Sequence, residues 1–396
     1  MSHHMTGTKT MTRPTIGIIL NGVTGRMGYR QHLVRSILAI RDAGGLELPD
    51  GSRAQVRPVL VGRKKEKLQE IAERHGIDEY TTDLEAVLAD ESLDIYADFL
   101  LTSARVPALR KAIAAGKAIY SEKPTAETHL EAAELAAEVE RAGLHNGVVH
   151  DKLYLPGLQK LQRLLDSDFF GRVLSVRGEF GYWVFEGDWQ ASQRPSWNYR
   201  KEDGGGIVVD MFPHWNYVIE HLFGHVRSVY AHTATHIPQR VDEHGQAYAA
   251  TADDAAYAVF EVGEGVVVQM NSSWCVRVDR DELVEFQIDG TRGSAVVGLF
   301  NGRVQTREVT PRPVWNPDLA DAHDYRSDWS AMPDNADLVN GFRAQWEEFL
   351  SDFVAGRPHR FDFASAARGV RLAEKALESA ADGRRIELDS DAEDGG

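Results

Sequence analysis

Apolar, largely β-branched runs at Thr15–Leu20, Val56–Val61, Ile95–Leu101, Ala118–Ser121 and Gly147–His150 alternate with segments of helical periodicity through the first 150 residues. That alternation leaves few folds open. Strands separated by helices return to the same end of a sheet and so pair in parallel. The expectation is a doubly wound parallel sheet, with helices following Gly28 up to about Ala43, then at 65–75, 83–89, 106–115 and 127–142. The stretch Ala43–Arg53 is polar and glycine-rich and reads as an insertion that loops out.

The pattern changes near residue 168. Runs at Arg172–Phe180, Val226–Ile237, Ala255–Val262, Val266–Cys275, Leu283–Asp289, Ser294–Leu299 and Arg303–Val309 read as strands, several separated only by turn-length gaps. Short gaps imply antiparallel pairing. Two long helices are expected near Ala336–Val354 and Ala364–Ala381. The fold class is therefore α/β: an N-terminal Rossmann domain over 14–150, then an α+β domain over 151–388 with a large, mostly antiparallel sheet. Residues 1–13 read as a disordered tail or tag remnant, and the acidic end 389–396 as a second disordered tail.

Composition narrows the function classes. Forty-four basic against sixty acidic side chains give a net charge of −16, which argues against a nucleic acid or an anionic membrane as partner. No apolar run approaches the length of a membrane span, and the start lacks a hydrophobic signal core. Cys275 is the single cysteine, which excludes an internal disulfide and a multi-cysteine metal site. A cytoplasmic protein is expected.

Four motifs carry chemistry. Gly22-Val23-Thr24-Gly25-Arg26-Met27-Gly28 lies between a strand and a helix, where a bare backbone and a helix N-terminus receive a pyrophosphate. The second strand ends Val61-Gly62-Arg63-Lys64, without the carboxylate that would hold an unphosphorylated ribose. Arg63, helped by Lys64, can instead pair with a 2′-phosphate, which favours NADP over NAD; a solvated charge run is the competing reading. Ser121-Glu122-Lys123-Pro124 ends another strand, where an ammonium can stabilise a developing alkoxide. Finally, Gly204-Gly205-Gly206 precedes Asp210 and His214, four apart and so on one helical face. A carboxylate there would set the tautomer and charge of a general base; a core histidine satisfied by its neighbour is the alternative.

Together, the glycine turn, Gly116-Lys117 leading into Glu122-Lys123-Pro124, and Gly204-Gly205-Gly206 with Asp210 and His214 resemble the glucose-fructose oxidoreductase / inositol dehydrogenase / rhizopine-catabolism (Gfo/Idh/MocA) family over nearly the whole chain. The resemblance implies that Lys123, Asp210 and His214 are the catalytic trio and that the Lys123–Pro124 bond is cis. It implies cofactor contacts at Gly22, Thr24, Gly25, Arg26, Met27, Gly28, Gly62, Arg63, Lys64, Thr102, Glu122 and Lys123, and assembly as a homo-dimer or homo-tetramer. The chain departs from the family where many relatives carry Asp three residues after the histidine: here Asn216 precedes Tyr217. Thr102-Ser103-Ala104-Arg105 stands where relatives often have Thr-Pro. Pro213 is expected to kink the helix or mark its first turn.

Tyr182, Trp183, Trp189, Trp197 and Tyr199 offer flat faces beside polar groups, suited to a sugar or, alternatively, to a subunit interface. With Asp151, Lys152, Asn216 and Tyr217 they form the expected substrate-binding set. His232 and His236 are too far apart along a strand to share an ion, so no metal is expected. The function expected is NAD(P)-dependent oxidation or reduction of a secondary hydroxyl or ketone on a sugar, glycoside or cyclitol. Lys123 and His214 would meet across a cleft between the domains, with Asp210 orienting the imidazole. The alternatives are a redox-neutral glycoside hydrolase or lyase, and a nucleotide-sensing regulator without catalysis.

Overall fold

A computed structural model describes residues 15–313, 316, 318, 323–334 and 338–388. Both expected tails, and the start of the helix expected from Ala336, fall on residues outside these. The chain forms two units that each draw on three segments: residues 1–122, 137–149 and 342–362 in the first, and 123–136, 150–341 and 363–396 in the second. The division therefore differs from a single boundary at residue 150.

In the first unit the strands are β1 (Thr15–Asn21), β2 (Leu46–Glu47), β3 (Arg53–Val61), β4 (Tyr80–Thr81), β5 (Ile95–Asp98), β6 (Ala118–Ser121) and β7 (Asn146–Val148). β4 pairs with β3, and the sheet continues β3-β1-β5-β6-β7, all parallel. This is the doubly wound order, and the strand order reverses at β1 and β5, where ligands gather beyond the carboxyl ends. The stretch after Ala43 does not loop out. Leu46 and Glu47 pair antiparallel with Ala54 and Arg53, so residues 48–52, with Gly51 among them, form the turn of a hairpin. The helix Gly341–Ala355 brings Phe342, Trp346, Phe349 and Leu350 into the same apolar core as Ile18, Leu20 and Tyr120. Sequence proximity had assigned that helix to the second domain; its apolar face belongs to the first.

The second unit is built on β8 (Val173–Gly181), β9 (Val226–Ala234), β10 (Gln239–Val241), β11 (Ala247–Ala249), β12 (Ala255–Val262), β13 (Val266–Ser273), β14 (Val284–Gly290), β15 (Gly293–Val297), β16 (Gly302–Thr306), β17 (Ser330–Ala331) and β18 (Ile386–Glu387). Nine of them form one sheet, ordered β17-β16-β15-β14-β8-β13-β12-β9-β18. Only β8 and β13 run parallel; the remaining pairs are antiparallel. The helices Ile207–Phe223 and Phe363–Asp382 pack on one another, and Ser379 Oγ of the second accepts the Ala231 amide of β9.

Helix Ile207–Phe223 starts where it does for steric and polar reasons. Gly206 has φ +128, and a Cβ there would lie 2.7 Å from Asp253 Oδ1; a Cβ on Gly205 would meet the Trp197 carbonyl at 2.4 Å. Asp253 then caps the helix, its carbonyl accepting Ile207 N–H and its carboxylate accepting Val208 N–H, both at 2.9 Å. Pro213 neither ends this helix nor lies in its first turn: it sits inside it. A proline there removes one backbone bond, at a cost of about 3 kcal/mol, which the burial of Phe212, Trp215 and Val218 on either side helps to offset.

Candidate active site

Lys123 stands two residues after the end of β6 and is joined to Pro124 by a cis peptide bond. Its ammonium donates to Asp210 twice, to the carbonyl at 3.0 Å and to Oδ1 at 3.1 Å. Arg194 donates from Nη1 to Asp210 Oδ2 at 2.9 Å and to Asn198 Oδ1 at 3.3 Å, and from Nε to the Tyr182 hydroxyl at 3.3 Å. Its guanidinium lies 4.3 Å from the Trp274 ring centroid. Burial works against ionisation of Asp210, but Lys123 and Arg194 together outweigh it and hold the carboxyl at about 2. Lys123 and Asp210 both belong to the second unit, as does His214.

The expected Asp210–His214 contact is not made. The two share a helix face, but the carboxylate is taken by two cations, and charge-assisted bonds outcompete one to a neutral ring. His214 Nδ1 lies instead 2.8 Å from the Tyr217 hydroxyl. That hydroxyl donates to Asp151 Oδ1 at 3.4 Å and accepts the Lys152 backbone N–H at 3.4 Å. On the other side of the imidazole, Lys152 Nζ is 3.5 Å from Nε2. The His150 ring stacks on Tyr217 with centroids 4.2 Å apart. His214 is 7% exposed. Burial first, then the charges of Lys123, Lys152, His150 and Arg194, push it well below the ordinary imidazole range, so it is a neutral base at pH 7.

The remaining expected residues divide. Tyr182 joins the cluster through Arg194, and Asp151, Lys152 and Tyr217 surround His214. Trp183 and Trp189 direct their indole N–H groups to Glu186 Oε2, at 3.4 and 3.2 Å. Trp189 and Trp197 are exposed, whereas Tyr199 is wholly buried with the Arg240 guanidinium 3.9 Å from its ring centroid, which makes it a core residue and not a substrate contact. Asn216 is likewise buried, with no partner for its amide nitrogen among the described residues. The sequence missed Arg194, which sits in an ordinary-looking Ser-Gln-Arg-Pro loop without local signal. It also took Tyr217 and Asp151 for substrate contacts; the three-residue spacing from His214 was the available clue to Tyr217.

In the first unit, Gly22 (φ +86) makes the turn after β1, and a Cβ there or on Gly28 would lie 2.8 Å from Phe99 backbone and 2.7 Å from the Gly22 carbonyl. Thr24, Gly25 and Arg26 are exposed at the tip, with Met27 half-buried behind them, and the helix that follows has no acidic residue in its first turn. That close-packed turn with an open tip fits a dinucleotide pyrophosphate. Thr102 opens the helix after β5. Gly62 ends β3 without a carboxylate, and the exposed side chains of Arg63 and Lys64 have no hydrogen-bond or ion-pair partner among the described residues. Glu122 is spent inside this unit: Trp346 Nε1 donates to His32 Nδ1 at 3.0 Å, which leaves His32 Nε2–H to donate to Glu122 Oε1 at 2.8 Å. Among the described residues, the one grouping with metal-ligand character is Glu348, Asp352 and His359. Arg360 and Arg357 already neutralise its carboxylates, at 2.7 and 3.0 Å, so it is an ion-pair cluster.

Comparison with known proteins bears on the fold and the family. Residues 24–150 match the family described as oxidoreductases with an NAD-binding Rossmann fold, and residues 158–296 match the GFO/IDH/MocA C-terminal domain. A D-xylose dehydrogenase of Paenarthrobacter nicotinovorans is 60% identical over 383 residues, covering 96% of this chain and 99% of the relative. A levoglucosan dehydrogenase of Pseudarthrobacter phenanthrenivorans is 25% identical over 257 residues, 61% of this chain and 64% of that protein. The solved structure of a levoglucosan dehydrogenase in complex with NADH and L-sorbose shares the fold with a TM-score of 0.77 at 22% identity, over 95% of this chain and 99% of that one.

Proposed function

The chain belongs to the Gfo/Idh/MocA family of NAD-binding oxidoreductases, and on that premise we propose that it is a D-xylose dehydrogenase. One observation carries the reading: a buried, neutral imidazole presents Nε2 beside Lys152, within a unit where Lys123 and Arg194 hold an ionised Asp210. Identity of 60% over 383 residues with the D-xylose dehydrogenase relative supports the choice of sugar.

In this reading His214 Nε2 removes the proton of a sugar hydroxyl, and the Lys123 ammonium stabilises the negative charge left on oxygen. Asp210 holds Lys123 in place, while Arg194 fixes the second carboxylate oxygen. Lys152 adds positive charge on the same side as Nε2. A nicotinamide bound there would supply the hydride acceptor, and with the hydroxyl proton taken by His214 the sugar would lose two electrons and two protons overall. Gly22, Thr24, Gly25, Arg26, Met27 and Gly28 would hold the pyrophosphate. Arg63 and Lys64, whose side chains have no partner among the described residues, support acceptance of the 2′-phosphate of NADP as well as NAD.

Self-association, as a homo-dimer or homo-tetramer, belongs to the same proposal. Tyr230, Tyr257, Val259 and Val267 are exposed on neighbouring strands of the nine-stranded sheet, and Val259 lies opposite Tyr230 in the register. No helix among the described residues is long and apolar enough to cross a membrane.

The test is a panel of D-xylose, other aldoses, inositols and aryl glycosides with NAD and NADP, followed by cofactor reduction and product analysis. D-xylose oxidised stoichiometrically with cofactor is the expected result. Release of an aglycone without net cofactor reduction would replace this reading with the redox-neutral one. Binding of nucleotide with no turnover of any sugar would replace it with a sensor.

A further inference from the structure

A general base works only if its lone pair faces the substrate, and in His214 something other than Asp210 must place the proton. We propose that Tyr217 and Asp151 form a hydrogen-bonded relay that fixes the His214 tautomer and shares the positive charge the ring acquires when it takes the substrate proton. The inference rests on the reading of His214 as the base and assigns Tyr217 and Asp151 as positioning residues for it.

The directions of the bonds follow one from another. An ammonium has no lone pair, so Lys152 Nζ, 3.5 Å from Nε2, can only donate, and Nε2 must be the acceptor. The ring proton therefore sits on Nδ1 and donates to the Tyr217 oxygen at 2.8 Å. That oxygen also accepts the Lys152 backbone N–H at 3.4 Å, which leaves the phenol proton for Asp151 Oδ1 at 3.4 Å. The opposite tautomer would set an N–H against the Lys152 ammonium. His150, stacked on Tyr217 with ring planes 20° apart, keeps the phenol in line.

The relay also answers an electrostatic difficulty. Lys123, Lys152, His150 and Arg194 all bear on His214 and oppose its protonation, while Asp210 is spent on Lys123 and Arg194. Asp151, reached through Tyr217 and itself 3.6 Å from Lys152 Nζ, is the carboxylate on the Nδ1 side. When Nε2 takes the hydroxyl proton, the Nδ1–H bond to Tyr217 becomes charge-assisted and the phenol proton leans further toward Asp151. No proton leaves Tyr217, so one proton passes from substrate to Nε2 and none is lost.

The experiment combines the substrate-free protein with its kinetics. Nitrogen NMR of histidine-labelled wild type should show His214 as the Nδ1–H tautomer. Tyr217→Phe keeps the ring that stacks on His150, and should shift the tautomer toward Nε2–H. It should also lower kcat by about 10- to 100-fold with little change in KM, and move the acid limb of kcat/KM to lower pH. Asp151→Asn should act in the same direction but less, and the double variant should be less than additive. Tyr217→Asp places a carboxylate three residues from His214 on the same helical face; it should restore turnover relative to Tyr217→Phe and move the acid limb to higher pH. An unchanged tautomer and unchanged pH profile in Tyr217→Phe, or full additivity with Asp151→Asn, would overturn the relay. His214→Asn, assayed alongside, separates the two ideas. If it leaves turnover intact the base assignment has failed, and the tautomer measurement still decides the relay.

Discussion

Replacing Arg194 with methionine removes one of the two cations on Asp210 while keeping most of the volume against Trp274. Asp210 lies at about 2 against an ordinary value of 3.8, and at about 1.4 kcal/mol per unit the two cations, net of the burial they oppose, contribute about 2.5 kcal/mol. The carboxylate side chain is 31% exposed, so solvent screening scales this toward roughly 1–2 kcal/mol. The sign is that of a depressed acid: its stabilisation is complete above the unfolded value and is lost as pH falls through the folded one. In Arg194→Met, burial lifts Asp210 back toward or above its ordinary value, and the pH-dependent part disappears. Urea unfolding of wild type and variant should therefore show a constant gap of about 1–2 kcal/mol from pH 7 down to about pH 5, shrinking by up to about 1 kcal/mol by pH 3. Other groups titrate equally in both proteins and cancel. A gap that stays constant or widens between pH 5 and pH 3 would refute the idea that Arg194 holds this carboxylate ionised.

Lys123→Met should lower turnover by about 10²- to 10³-fold while leaving dinucleotide affinity within about twofold, as read by fluorescence titration. Because burial and neighbouring cations hold His214 low, wild-type kcat/KM should stay flat as pH falls through 6.5 and decline only below it; a limb centred at or above that value would contradict a depressed base. Arg63→Ala should weaken NADP about 10-fold or more and leave NAD nearly unchanged; equal effects on both would remove the 2′-phosphate assignment. Tyr257→Lys, on the exposed sheet face, should shift light scattering toward the 44.1 kDa monomer, and an unchanged mass would move the self-association surface elsewhere.

The strands of the first unit were legible because burial on both faces leaves apolar runs that no turn interrupts, and the glycine turn was legible because only that residue fits its φ and packing. β12 was readable to its ends, since alternation and flanking turns fix both. The hairpin at Leu46 was not: two paired residues carry no periodicity. The helix at Gly341–Ala355 was legible as a helix but not as to its core, because an apolar stripe states that it is buried without stating against what. The same limit governed the site. Spacing placed Asp210 and His214 on one face, yet their partners were decided by Lys123, 87 residues from Asp210 in sequence, by Arg194, and by a tyrosine whose hydroxyl does what the Asp210 carboxylate was expected to do. Local pattern names the donors and acceptors, and charge delivered from elsewhere in the chain chooses among them.

The helix Gly341–Ala355 has a bearing on synthesis. Val148 N–H donates to the Phe361 carbonyl at 2.8 Å, and Gln345 Nε2 donates to the Val148 carbonyl at 2.7 Å, so β7 acquires these bonds only from chain made some two hundred residues later. A ribosome that has extruded the first 150 residues has released the whole dinucleotide-binding sheet with the side that Phe342, Trp346 and Phe349 will cover still open to water. The nascent Rossmann half must therefore wait, partly formed and sticky, until nearly the whole polypeptide has emerged. For the same reason a fragment cut after His150, the natural place to divide the chain by reading it, should be recovered as aggregate rather than as an isolated cofactor-binding domain.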